Sequence, residues 1–90
     1  MYSVYLIVNE KGSKYIGYTA SLKERIRQHN AGMNKSTQGH TWTLVYAEAY
    51  LDETDARQRE AQLKKHGRTK MHMYNRAEQS IKKVRDYHRR

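Results

Sequence analysis

Five side chains that carry charge or exchange protons fall where the sequence pattern turns inward: Tyr5, Tyr15, Arg25, His29 and Glu60. A short hairpin and the helix after it can bring the two phenols, the guanidinium and the imidazole into one cleft. Glu60 comes from a later helix, where Ala56, Glu60 and Leu63 follow the i, i+4, i+7 spacing of an inward stripe. An acid held inward needs a cation, a hydrogen-bond donor or a metal as partner. An internal ion pair, with Arg25 as the available cation, is the structural outcome; a metal ligand is the chemical one.

The hairpin decides whether the phenols meet. Tyr2 to Val8 is apolar on both alternating faces, with Val4, Leu6 and Val8 on one and Tyr5 and Ile7 on the other. A central strand covered on both sides has this pattern. Ser13 to Tyr18, rich in aromatic and β-branched residues, suits a second strand. Between them, Glu10-Lys11-Gly12 fits a three-residue loop with glycine in the left-handed position. That loop sets Ile7 opposite Tyr15 and Tyr5 opposite Gly17, and opposed residues share a face. Tyr5, Tyr15 and Gly17 then lie together, with no side chain at Gly17 to cover the Tyr5 phenol. A two- or four-residue loop would send Tyr15 to the other face. The next helix is predicted over Ser21 to His29, opened by the capping box Ser21-Leu22-Lys23-Glu24. At ~100° per residue, Leu22, Arg25, Ile26, His29 and Met33 share one arc, which puts the arginine and histidine beside the docking face.

Ninety residues make one small domain. Cysteine is absent, which excludes a disulfide framework or thiolate zinc site and makes a reducing interior the natural setting. No apolar run approaches the ~20 residues of a membrane span, and the N-terminus lacks a secretory pattern. The expectation is a cytoplasmic protein with no membrane partner. Formal net charge is +9 and the sequence pI about 9.9. Residues 1–63 hold 8 Lys/Arg against 7 Asp/Glu, whereas residues 64–90 hold 10 against 2. An excess confined to the last third, with no acidic block to match it, favours a nucleic-acid partner over a merely solvated tail.

From Asn30 to His40 the chain reads as a polar surface loop, with Gly32 as a left-handed end to the helix. Its Lys35 and His40 are available as phosphate contacts or are ordinary exposed residues. Trp42 to Ala47 is the third strand, again apolar on both faces. Most of the 8 tyrosines read as amphipathic packing residues whose hydroxyls reach water. A second helix opens at Asp52 and runs to about His66, with Gly67 as its stop. In the tail, a helix is predicted from Asn75, with Asn75 as its cap. Ala77, Ile81 and Val84 form a thin apolar stripe flanked by cations up to Arg90. That stripe lacks Trp, Phe and Leu, which disfavours a membrane surface and leaves the basic side for phosphates.

These residues resemble the GIY-YIG nuclease superfamily, in particular its small stand-alone members. The second signature is intact as Tyr15-Ile16-Gly17; the first stands as Ser3-Val4-Tyr5, which keeps the tyrosine and departs from Gly-Ile before it. Arg25 lies ten residues after Tyr15 and His29 fourteen after it, as in the family pattern. Ala56 to Lys64 looks like the family's glutamate helix. The resemblance covers about residues 2–66 and implies an α/β fold of the α+β type. That fold is a three-stranded, mainly antiparallel sheet flanked by helices, with a basic C-terminal helix. Residues 1–67 would form the nuclease-like domain and 68–90 an extension of it.

The implied activity is endonucleolytic hydrolysis of DNA phosphodiesters with one divalent ion, Mg²⁺ or Mn²⁺, and no small-molecule cofactor. Structure selectivity in repair or recombination goes with it. By resemblance, Glu60 binds the metal, Arg25 holds the phosphate, Tyr15 is a candidate general base and Tyr5 a positioning phenol. His29 either relays a proton or holds Tyr5. Lys35, His40, Lys64, Lys65, Arg68 and Lys70 are the expected DNA contacts. Asn75 corresponds to a further active-site asparagine of some members, or is only a cap. The competing reading is a non-catalytic DNA-binding module on the same fold; an RNA-directed domain is a further one.

Overall fold

β1 (Tyr2–Asn9) is the middle strand of an antiparallel sheet, between β2 (Lys14–Thr19) and β3 (Trp42–Tyr50). The computed structural model describes residues 1–89; Arg90, the end of the expected basic tail, lies outside the described residues. Helices α1 (Leu22–Asn30), α2 (Glu53–Lys65), α3 (Gly67–Arg76) and α4 (Glu78–His88) complete an α/β fold.

The β1–β2 turn follows the expected three-residue geometry. Gly12 has φ +86°, and the buried Asn9 side chain accepts from the backbone N–H groups of Lys11 (2.9 Å) and Ser13 (3.0 Å). The register is Ile7 opposite Tyr15 and Tyr5 opposite Gly17. Alternation along β1 then divides the interior in two. Val4 and Leu6 pack with Ile16, Ala56, Leu63, Met73 and Ala77, under α2, α3 and α4. Tyr5 and Ile7 pack with Trp42, Tyr15, Leu22 and Ile26, under α1.

β3 joins both regions through a bulge. Its partners shift from Leu6–Tyr46 to Ile7–Leu44, leaving Val45 as the extra residue. Without that insertion, Trp42 and Tyr46 would share a face. With it, Tyr46 and Tyr50 join the first cluster while Trp42 joins the second.

Several local expectations are corrected. The capping box does not form: the Ser21 side chain makes no cap, its N–H donates to Thr19 Oγ1, and Glu24 is drawn to Arg27 at 2.7 Å. Met33 is 65% exposed, because Gly32 (φ +74°) turns the chain off the helix before it. β3 runs on to Tyr50 and is an edge strand open to solvent along much of its length. Asp52 caps α2 as expected, accepting from Thr54 N–H at 2.7 Å. Gly67, however, opens α3 instead of stopping the chain, since His66 is extended and supplies the break. Asn75 is not a cap but lies in the last turn of α3, and α4 follows across Ala77. The chain is therefore already helical from Gly67 to Arg76. Hydroxyls of Tyr18, Tyr46 and Tyr50 bond to carboxylates of Glu53 and Glu48 rather than only to water.

Candidate active site

Under α1 lies a buried polar chain. Tyr5 is 1% exposed, and its hydroxyl lies 2.7 Å from Nε2 of the fully buried His29. On the other side of the imidazole, Nδ1 is 2.7 Å from Oγ1 of Thr37, itself buried. The Thr37 hydroxyl can donate to the Asn34 carbonyl at 3.4 Å. That direction assigns the remaining protons: Nδ1–H donates to Thr37, and Nε2 accepts from the Tyr5 phenol. Burial, with the Arg25 charge as a second cause, holds His29 below its ordinary value and keeps it neutral. Burial likewise pushes the Tyr5 phenol well up, helped by Tyr15 and Glu60 and opposed by Arg25. Tyr5 thus keeps its proton and points it at His29.

Gly17 makes this arrangement possible through space, not through its φ. A Cβ there would stand 2.5 Å from Tyr5 Cζ and 2.9 Å from Cε1, closer than atoms tolerate. The phenol of Tyr5 therefore lies directly on the Gly17 backbone.

Tyr15 forms the half-exposed rim. Its ring centroid is 5.1 Å from that of His29, 6.5 Å from Tyr5 and 6.4 Å from Trp42. Lys64 Nζ stands 5.4 Å from the same centroid and 3.3 Å from Glu60 Oε2, so α2 reaches the rim from the side. Glu60 is 24% exposed. It lies at the margin of the inner face rather than in its middle, and the ion pair it makes is with Lys64, not Arg25. Arg25 is half-buried and close enough for its charge to act on both Tyr5 and His29.

The remaining expected residues are scattered around this centre. His40 Nδ1 pairs with Glu10 at 2.6 Å and its ring packs 6.2 Å from Trp42, whereas Lys35 is exposed on the loop. Lys65 and Arg68 are exposed at the α2–α3 junction, with Lys70 half-buried beyond them. Asn75 lies apart, facing a groove that Lys14 lines on the sheet face opposite Tyr15.

Thr37, Asn30 and Trp42 were not anticipated. Asn30 accepts from Trp42 N–H at 2.6 Å and donates to its carbonyl at 3.0 Å, and Trp42 Nε1 donates to the Thr37 carbonyl at 2.8 Å. These bonds pin the loop that carries Thr37. The Asn34-Lys35-Ser36-Thr37 turn, with Asn34 Oδ1 accepting from Ser36 N–H, was a readable signal of local order; the burial of Thr37 was not.

A family model described as the GIY-YIG catalytic domain matches residues 1–75. The chain belongs to the GIY-YIG family. Within this nuclease superfamily it is similar to a UPF0213 protein of Halobacterium salinarum, 38% identical over 66 residues that span 71% of this chain and 86% of that protein. A UPF0213 protein of Haloquadratum walsbyi is 38% identical over 69 residues (74% of this chain, 78% of that one). One of Staphylococcus aureus is 34% identical over 74 residues (74% and 84%). No solved structure matches the chain.

GIY-YIG nucleases generally use a divalent metal. Among the described residues, no three His, Asp or Glu side chains gather into a metal cage. Glu60 offers a single hard, partly exposed carboxylate. This donor set fits Mg²⁺ or Mn²⁺, which keep several waters and take one or two carboxylates together with substrate phosphate. No helix among the described residues is long and apolar enough to cross a membrane.

Proposed function

We propose that the chain is a divalent-metal-dependent DNA endonuclease that hydrolyses phosphodiester bonds, with Tyr5, Tyr15, Arg25, His29 and Glu60 as its machinery. The observation that carries this reading is the division between the two phenols. Tyr5 is buried and committed to His29, while Tyr15 is half-exposed beside Lys64 and Glu60. Water can reach only the second, so Tyr15 in its phenolate form is the base. It takes a proton from the attacking water and becomes the neutral phenol, and Lys64, 5.4 Å from its ring, is the cation beside that anion. Tyr5 holds one wall of the cleft, and His29 holds Tyr5. Arg25 binds the phosphoryl oxygens through its planar fork. Glu60 would hold a divalent cation, which would supply charge neutralisation for the phosphoryl and leaving 3′ oxygens. Lys35, His40, Lys64, Lys65, Arg68 and Lys70 contact the flanking backbone. A cytoplasmic setting, supported by the cysteine-free sequence, and selectivity for branched or damaged DNA belong to this reading.

Purified protein incubated with plasmid and branched DNA in Mg²⁺ or Mn²⁺ tests it. Cleavage is expected and should stop with a chelator. Cleavage by Glu60→Gln as fast as by the parent would overturn the assignment. One observation favours the alternative of a non-catalytic DNA-binding module: Lys64 already neutralises Glu60 at 3.3 Å. In that case DNA binds with strong salt dependence and neither metal nor Glu60→Gln changes it.

A further inference from the structure

A groove of about 420 Å³ opens between α3, α4 and the first residue of β2. None of the five residues of the phenol cleft lines it. Its wall carries three cations, Lys14, Lys82 and Arg85, against one acid, Glu78. Asn75 and Gln79 add uncharged donors and acceptors, and both are exposed. The half-buried Tyr74 ring lies beneath Lys14, whose Nζ is 5.3 Å from its centroid. Cations along the rim, amides between them and an aromatic ring are the composition of a channel for single-stranded nucleic acid. A duplex is a wide, stiff cylinder that presents its backbone to ridges and cannot enter a cleft of this size; an unpaired strand can.

The place of the groove matters as much as its lining. Lys14 and Tyr15 are consecutive residues of β2, so their side chains leave on opposite faces of the sheet. The groove and the reactive rim therefore begin at the same end of one edge strand. Lys64, Lys65 and Arg68 occupy the α2–α3 junction that joins the element bearing Glu60 to the groove wall. On α4, Lys82 and Arg85 line the groove, while Lys83 and Val84 line the other side of the helix.

We propose that this groove holds the single-stranded flank of a DNA substrate whose scissile phosphate lies at Tyr15 and Glu60. The inference rests on the nuclease reading and narrows its substrate to DNA with an unpaired segment beside the cut.

Binding measured by fluorescence anisotropy in a chelator, where no cleavage occurs, tests the groove separately from the chemistry. The probes are a single-stranded DNA, a duplex with a single-stranded flap, a blunt duplex and an RNA strand of the same sequence. The triple variant Lys14→Ala/Lys82→Ala/Arg85→Ala should weaken flap and single-strand binding about tenfold or more. The slope of log affinity against log salt should fall by about two, from roughly 0.7 per lost phosphate contact on a single strand. Blunt-duplex binding should change by less than about twofold. Lys83→Ala, which removes one charge from the other side of α4, should not discriminate among the DNAs. Equal losses on blunt and flapped DNA, selective loss from Lys83→Ala, or a preference for the RNA strand would each overturn the proposal. A protein that binds flaps through the groove yet cuts nothing in Mg²⁺ or Mn²⁺ would refute the nuclease reading alone.

Discussion

Tyr5 and Leu6 are neighbours on β1, equally buried, and their side chains enter regions built on different physics. On the Leu6 side the contacts are apolar, with Leu63 and Met73 at 0% exposure. Its main charged group, Glu48, is held at the margin by Arg59 through paired bonds of 2.8 and 2.9 Å. On the Tyr5 side a histidine, a threonine and a phenol are buried in sequence, each with its partner found. The first region supplies stability from apolar area, while the second spends buried volume on fixing where one hydroxyl points. One strand with period-two alternation keeps the two from interfering.

The largest expected contrast lies within α2, where Glu60 and Leu63 are less than one turn apart and serve different regions. Leu63→Ala should cost about 2–5 kcal/mol in urea denaturation, because a fully enclosed side chain leaves a cavity. Glu60→Gln, at a partly exposed margin, should change stability by less than about 0.5 kcal/mol. Its nuclease activity should fall by about 10²-fold or more. If Glu60→Gln instead unfolded the protein as Leu63→Ala does, the carboxylate would be structural and the division between regions would fail.

Gly17→Ala gives the next largest effect. Alanine ordinarily suits a strand better than glycine. Here the added methyl meets the Tyr5 ring at 2.5 Å, so Tyr5 must leave His29. A loss of about 1–3 kcal/mol is expected from overpacking, with cleavage falling further than stability alone explains. Ile16→Val, the adjacent residue on the apolar face, should cost about 0.5–1.5 kcal/mol and leave the cleavage rate of folded protein unchanged. Similar activity losses in both variants would show that the two faces are coupled.

Thr37→Val keeps the shape and removes the acceptor of the His29 Nδ1–H. An unsatisfied buried donor costs about 1–3 kcal/mol, and the imidazole becomes free to change tautomer and lose its hold on Tyr5. Thr37→Ser should restore both the stability and the pH profile of cleavage; failure of that rescue would mean that the methyl group, not the hydroxyl, is what matters.

Thr37 also marks the limit of what the residues alone disclosed. The hairpin register was legible because a three-residue loop ending in glycine admits one pairing, and that pairing placed Tyr5, Tyr15 and Gly17 together. His29 was legible from helical period. Thr37 was not, because loop residues have no period and its burial depends on bonds that Asn30 and Trp42 make across twelve residues. The bulge at Val45 was equally hidden: alternation in Trp42 to Ala47 fits either face until β1 supplies the register. The tail misled for a related reason. Asn75 before Arg76 and Glu78 has the form of a cap, yet Met73 and Ala77 are drawn into the apolar core and continue helix through the preceding residues.

The response to acid separates the two regions most cleanly. Burial holds His29 below its ordinary value of 6.5, so the unfolded chain binds a proton there before the folded chain does. Stability contributed by this site must therefore fall as pH drops below about 6.5 and level off once the folded imidazole also titrates. On the other face the Arg59 hydrogen bonds hold Glu48 down at about 2, against an ordinary 4.5, with Tyr50 and Tyr46 assisting and burial opposing. Its contribution is present above 4.5 and is lost as pH falls from there toward about 2. Chemical denaturation from pH 8 to pH 3 should thus show two separate declines. His29→Gln should remove the upper one, and Arg59→Gln the lower. If either variant flattened both windows, the two faces would share one titrating network. Separate losses would mean that the strand insulates the site from the core even when one of them has begun to fail.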